Sequence, residues 1–449
     1  MHSETTRDPR REGLRSTFAA LAEPRYRVLW WGTLFSFLGM QMQMIARGYL
    51  AYDLTASNTA LGGVMIAFGV PQLVFGLWGG VVADRMAKRN VLLLWQSAIA
   101  IASALMAAAI ATGNVAYWML IATGVLTGTA FAFIGPARQA FTGDLVGDEL
   151  IGNAIVLQQA SMNGTRVFGP ALAGVLIATP FVGMAGVYIL TTVGFIASTA
   201  TMVRLPPGRP LEQRVRRSAL AETRDGLTYV RRNRPVAVLL VMSFLVVAMA
   251  FPYQGFLPAV ARGAFHQGAV GLGALSSLAA VGALGATLIV AALTGHRHAW
   301  RIQALAGAGF GLSLLLFSVS PSFAIALVSI FFLGALASAF QSLNNALTMM
   351  LSERQYYGRV QALMGLSWSL FGILSLPLGI LADAIGLRQT LALMGVAAII
   401  SIIVTQAVAH LLRVPTQSRN VAAAAAVRAA EATLKGEAVG PAAVRSPLR

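Results

Sequence analysis

Two arginines stand where arginine is costly to place. Arg47 and Arg166 fall inside apolar runs long enough to cross a bilayer, and a charge at that depth costs at least ~2.5–3.5 kcal/mol unless it faces a cavity or a partner. Arg47 shares a helical face with Ser36, Met40 and Gln43, and Arg166 shares one with Gln159, Asn163 and Pro170, all at three- and four-residue steps. Cations, amides and hydroxyls grouped in this way bind and orient a polar or anionic molecule. Bond-breaking chemistry has no comparable foothold. The chain has no Cys, which excludes disulfides and thiolate metal sites, and it has no nucleophile elbow and no phosphate-cradling glycine loop. His296 and His298 stand together without acidic partners. The expectation is a non-enzyme with no metal and no cofactor.

Further polar and aromatic groups recur in the second half: Tyr253 and Gln254, then Gln341, Asn344 and Asn345, then Ser367 and Trp368. Two readings stand for each, contact with a ligand or hydrogen bonding and packing between helices. The same two readings stand for the arginines. Arg47 either lines a cavity or reaches the interface and pairs with Asp53, and Arg166 either lines a cavity or ties loop carbonyls together. The sixteen acids fall in loops, tails or span ends. Asp53 and Asp383 come nearest to the membrane and are the candidates for a coupling carboxylate, with an exposed loop acid as the plain alternative.

These residues require elements that hold polar groups inside lipid. Of 449 residues, 57% are hydrophobic and only 11% charged, against about 25% charged in soluble domains, so most of the surface must face lipid. Apolar runs read as twelve spans at 27–52, 59–83, 90–111, 116–136, 152–178, 183–203, 235–261, 269–293, 302–320, 323–347, 360–383 and 389–411. Each is near the roughly 20 residues that a helix needs to cross, and lipid leaves the backbone no choice but to bond to itself. The fold class is all-α, a membrane protein of twelve transmembrane helices.

The net charge of +17 takes its meaning from position. Lys and Arg gather in the N-terminal segment, the tail and every second loop, including 84–90, 204–234 and Arg138, and only Arg262 and Arg388 fall on the other side. The positive-inside rule puts both termini and the central loop in the cytoplasm, and no nucleic acid is needed to explain the charge. Residues 1–26 mix acids with bases and lead straight into a full span, so no cleaved signal is expected.

Segment 204–234 separates two groups of six spans, giving a cytoplasmic segment 1–26, a bundle 27–203, a loop 204–234, a second bundle 235–411 and a tail 412–449. The loop opens on Leu205, Pro206, Pro207 and Gly208, which stop a helix. It then becomes amphipathic, with Leu220, Leu227 and Val230 among several arginines, and is expected to lie along the inner membrane surface. The run Asn153 to Pro170 has an echo in Val360 to Pro377 at the same internal spacing. Duplicated six-helix halves with a site at their interface are the architecture of carriers that alternate access.

The segment Gly80-Val-Val-Ala-Asp84-Arg85-Met-Ala-Lys88-Arg89, between the second and third spans, resembles the loop motif of the major facilitator superfamily. The stretches Gln41–Ala46, Tyr52–Thr55, Pro136–Ala140, Arg166–Gly174 and Asp225–Arg232 are similar to its enterobactin-exporter-like efflux branch. The resemblance implies a major facilitator fold of two pseudo-symmetric six-helix bundles, with Gly80, Asp84, Arg85, Lys88 and Arg89 latching the cytoplasmic side. It also implies a cavity lined by faces carrying Gln43, Arg47, Gln159, Asn163 and Arg166 and by the second-half residues above. Gly169, Pro170 and Gly174 are similar to part of the antiporter motif, which favours export. The loop Thr294–Arg301 lacks the Asp-Arg pair, so the latch is expected to be asymmetric. The implied partners are a small-molecule substrate, the lipid bilayer and protons as coupling ion, with the chain acting as a monomer. An importer or facilitator, and a sensor or assembly partner that moves nothing, remain as alternatives.

Overall fold

The structure is a computed structural model that describes residues 19–208, 219–293, 298–353, 356–412 and 414. No strand occurs among them. Ten helices are long and apolar enough to cross a membrane. The first and fifth of the twelve expected spans, Pro24–Thr55 and the stretch 148–178, form helices as well. Their apolarity is lower because they carry Gln41, Gln43 and Arg47, or Gln158, Gln159, Asn163 and Arg166. Large apolar side chains such as Leu105, Phe168, Leu288 and Leu305 are exposed on the outside, where lipid is the solvent.

The second, third and sixth spans are Asn58–Arg85, Lys88–Ala111 and Gly183–Val203. The eighth to twelfth are Gly268–Leu293, Ala299–Ser318, Phe323–Leu351, Tyr357–Ile385 and Leu387–Leu411. The fourth and fifth run together through Tyr117–Ala178 and turn at Gly147, whose φ of 70° and ψ of 171° leave the helical region. Arg138 is therefore inside the fourth span and not in the loop where the charge pattern put it, because the turn comes at the residue able to adopt positive φ and not at Pro136. The seventh span is broken: Arg234–Met249 gives way at Ala250 to Tyr253–Ala259, followed by a π turn at Val260–Ala264.

Packing repeats between the halves. The second span lies on the fourth and the eighth on the tenth, and the third lies on the sixth and the ninth on the twelfth. Within the first half, Tyr26 Oη donates to Ala154 O at 2.7 Å and Trp30 Nε1 to Leu157 O at 3.1 Å, tying the first span to the fifth. In the second half Trp300 Nε1 donates to Gln406 Oε1 at 2.9 Å, tying the ninth to the twelfth. The linker helix Ala219–Arg232 buries Tyr229 and Val230 against Val236, Leu240, Val360 and Leu363. Part of the face expected to meet the membrane is thus spent on the second half, while Leu227 stays exposed.

Candidate functional site: a cleft between the halves

The two most extensive helix pairs between the halves are the second span on the eleventh and the fifth on the eighth, and the first span also meets the seventh where Gly48 lies against Pro258. The second and eleventh run antiparallel, since Gly379 meets Asn58, Gly62 meets Ser375 and Gly69 meets Gly372. Only glycine permits this approach: a methyl added at Gly372 would come within 2.7 Å of the Gly69 Cα. Further along the same two faces, a Cβ added at Gly76 or Gly365 would meet nothing within 4 Å among the described residues. The fifth and eighth behave alike. Gly174 meets Gly273, Pro170 O lies against Gly273, and Ser277 Oγ donates to Val167 O at 3.0 Å. On the same face of the fifth span beyond that bond, Val156 is exposed and a Cβ added at Gly152 would meet nothing within 4 Å among the described residues. The halves are closed at the end holding Asp53 and Asp383, and parted at the end holding Lys88 and Arg89.

Arg166 lies at the point of parting, one residue from Val167. It is surrounded by protein yet accessible to solvent, as a side chain in a water-filled cleft is, and it has no hydrogen-bond partner among the described residues. Gln159 is exposed and donates from Nε2 to Asn163 Oδ1 at 3.3 Å. These three residues form one polar stripe down the fifth span.

Gln43 and Arg47 are placed differently. Arg47 is 5% exposed, donates from Nη2 to Thr127 Oγ1 at 3.0 Å and lies beside the Tyr188 hydroxyl. Its Nε has no partner among the described residues. Gln43 is buried and donates to Ser103 Oγ at 3.3 Å. Both point into the first bundle in this conformation, not into the open cleft. The structure adds a third intramembrane arginine, Arg138, which is 3% exposed, donates to Ser36 Oγ at 3.0 Å and lies 4.8 Å over the Phe37 ring. Its sequence signal was the apolar length continuing past Pro136.

In the second half, Asn344 is fully buried and accepts from Gln303 Nε2 at 3.1 Å, while its own Nδ2 has no partner among the described residues. Gln341, Asn345 and Gln254 are partly buried, and Gln341 Oε1 is unpaired among the described residues. Tyr253 is buried edge-on to Phe310, Ser367 is buried and donates to Met364 O, and Trp368 lies 5.2 Å from Phe251. The separation relating Pro170 to Pro377 also relates Ser36 to Ser243, Arg47 to Gln254, Gln96 to Gln303 and Arg138 to Asn345. Polar positions repeat across the halves, but the cations occur only in the first.

At the basic end, buried Lys88 pairs with Asp144 at 3.0 Å, joining the third and fourth spans. Arg89 donates to Leu205 O at 3.0 Å, and Arg85 is exposed. Gly80 and Asp84 belong to the second helix; the surroundings of Gly80 and the side chain of Asp84 lie outside the described residues, as do Thr294–Arg297 and most of the tail. Gly169 is packed against Gln41. At the closed end, Asp53 pairs with Arg262, and Asp383 accepts from Ser57 Oγ at 2.7 Å and from Asn58 N, Asn58 Nδ2 and Thr59 N at 2.8 Å.

Residues 15–444 match the family model described as transmembrane secretion effector. The staphyloferrin A transporter of Staphylococcus aureus is 24% identical, over 81% of this chain and 91% of its own length. Macrolide efflux protein A of Streptococcus pyogenes is 23% identical, over 83% and 92%. Among solved structures, the nucleoside transporter NupG superposes with a TM-score of 0.69 at 12% identity, covering 85% of this chain and 98% of its own. A bacterial homolog of the human lysosomal transporter Spinster, solved inward-facing and unoccupied, gives 0.68 at 13% identity, over 85% and 96%.

Proposed function

Because the chain belongs to the transmembrane secretion effector family of major facilitator carriers, we propose that it exports a small amphiphilic molecule across a bacterial inner membrane by alternating access. The observation that carries this reading is the cleft. Two inter-half helix pairs touch at one end, part at the other, and leave at the parting an arginine with no hydrogen-bond partner among the described residues. The exposed cations Arg85, Arg224, Arg231 and Arg232 gather at the open end, which the positive-inside rule assigns to the cytoplasm. The cleft in this reading faces inward and receives cargo from the cell. Efflux is supported by the macrolide relative.

Arg166, with Asn163 and Gln159 beside it and the amides of Gln254, Gln341 and Asn345 across the path, suits an anionic or neutral amphiphile. Residues 27–203 and 235–411 act as the two moving bodies, and the segment from Gly80 to Arg89 closes the cytoplasmic end. The test is accumulation of a panel including a macrolide and staphyloferrin A in cells lacking the protein, expressing it, or expressing Asp84→Asn. Accumulation should fall on expression and recover with Asp84→Asn. Equal accumulation of every cargo in all three would leave a non-transporting membrane protein.

A further inference from the structure

The acids nearest the membrane both bridge the two halves, and both do so at the closed end. Asp383, near the end of the eleventh span, receives four hydrogen bonds from Ser57, Asn58 and Thr59, where the second span begins. Two of the donors are backbone amides of the second helix's first turn, which carries partial positive charge. Asp53, near the end of the first span, pairs with Arg262 of the seventh, and the Arg262 guanidinium lies 5.5 Å over the Tyr49 ring. Charge-assisted bonds of this kind are about twice as strong as neutral ones, and all of them must break for the halves to part here.

We propose that Asp383 and Asp53 are the outer gate of the carrier and do not carry its coupling proton. A driving carboxylate must exchange its proton with one side in one state and with the other side in the next. Asp53 and Asp383 are exposed at the closed end while the path is open at the opposite end, so the water that reaches them is not the water of the cleft. A proton taken up and returned on one face does no work. Asp383 instead holds the first turn of the second helix at the outer end, the counterpart of the latch that the resemblance gives Asp84 at the inner end.

This assignment rests on the two-state carrier reading, but it is tested without cargo, so its failure leaves the accumulation assay standing. The absence of native cysteine makes single-cysteine labelling clean. Ser375 is buried against Gly62 on the closed side, and Gln361 is exposed on the same helix on the open side. In lipid nanodiscs, Asp383→Asn should raise maleimide labelling of Ser375→Cys about tenfold, equivalent to about 1.4 kcal/mol, and should lower labelling of Gln361→Cys. Asp53→Asn should act in the same direction, and Asp383→Glu should restore slow labelling at Ser375→Cys. Thr112→Cys, on an exposed turn, reports any general change in reactivity. Labelling that rises at both positions would mean loss of structure and not opening, and unchanged labelling would mean no gate; either result overturns the proposal.

Discussion

Arg166 is exposed in the cleft and has no acceptor among the described residues, whereas Arg138 and Arg47 each reach a hydroxyl, on Ser36 and Thr127. That difference separates binding from structure among three residues of one type. Arg166→Gln removes no protein hydrogen bond, so the thermal midpoint in detergent should stay unchanged while transport of the cargo found in the accumulation assay falls about tenfold or more, the loss of one charge-assisted contact of ~1.5–3 kcal/mol. Ser36→Ala should do the reverse. It leaves the buried Arg138 guanidinium without its acceptor, destabilises by about 1–3 kcal/mol, and lowers the midpoint without touching the cleft. Arg47 and Arg166 were legible in the sequence because a cation inside an apolar run is conspicuous. What the run could not reveal is direction: the two arginines occupy similar polar faces, yet one points into a bundle and the other into a cleft, and only the packing of the fourth, sixth and eighth helices decides this. Arg138 was hidden for another reason, since placing it in a loop assumed a helix end at Pro136, and the bend at Gly147 depends on one backbone angle.

The antiparallel second and eleventh helices each carry glycines one heptad apart, Gly62, Gly69 and Gly76 on one and Gly365, Gly372 and Gly379 on the other. Gly69 and Gly372 meet, Gly62 and Gly379 pack against Ser375 and Asn58, and a Cβ added at Gly76 or Gly365 would meet nothing within 4 Å among the described residues. A glycine with nothing beside it in a helix destabilises by roughly 0.5–1 kcal/mol relative to Ala, and Gly76 and Gly365 find a packing role only if they meet in the other conformation, with Gly69 and Gly372 near the pivot. Gly76→Cys combined with Gly365→Cys should therefore cross-link slowly in the state described and several-fold faster with Asp383→Asn, as closure of that end brings the Cα atoms into the ~4.4–6.8 Å disulfide range. Retention of the two halves in one band after proteolysis between them reads the bond. Equal rates in both backgrounds would show that these glycines do not meet when the outer gate is released. The twelve spans and the duplication were readable from apolar length and from the Pro170 and Pro377 echo. The glycine register was not, because it depends on which helices cross between halves, and that is a property of the assembled pair.

Each half is braced internally by bonds that do not involve the other. Tyr26, Trp30 and Lys88 tie the first half to Ala154, Leu157 and Asp144. In the second, Asn233 donates to Leu351 O at 3.2 Å and Glu353 N donates to Tyr229 Oη at 2.9 Å, so the linker helix belongs to that half. Two stiff bodies with few polar bonds between them, concentrated at one end, will rock more readily than they deform. Rocking makes a demand that local gating does not: a bond fixing either end must stop the whole cycle. Ser57→Cys with Asp383→Cys replaces the outer gate with a disulfide, since the native side chains lie 2.7 Å apart, and Gly76→Cys with Gly365→Cys fixes the inner end. Oxidation of either pair should abolish transport and dithiothreitol should restore it, each pair holding the protein in the opposite state as read by labelling at the far end. If oxidising the outer pair stopped transport but left inner-end labelling free to vary with cargo, the ends would move independently, and the two bundles would be a scaffold for separate gates in place of a rocking carrier.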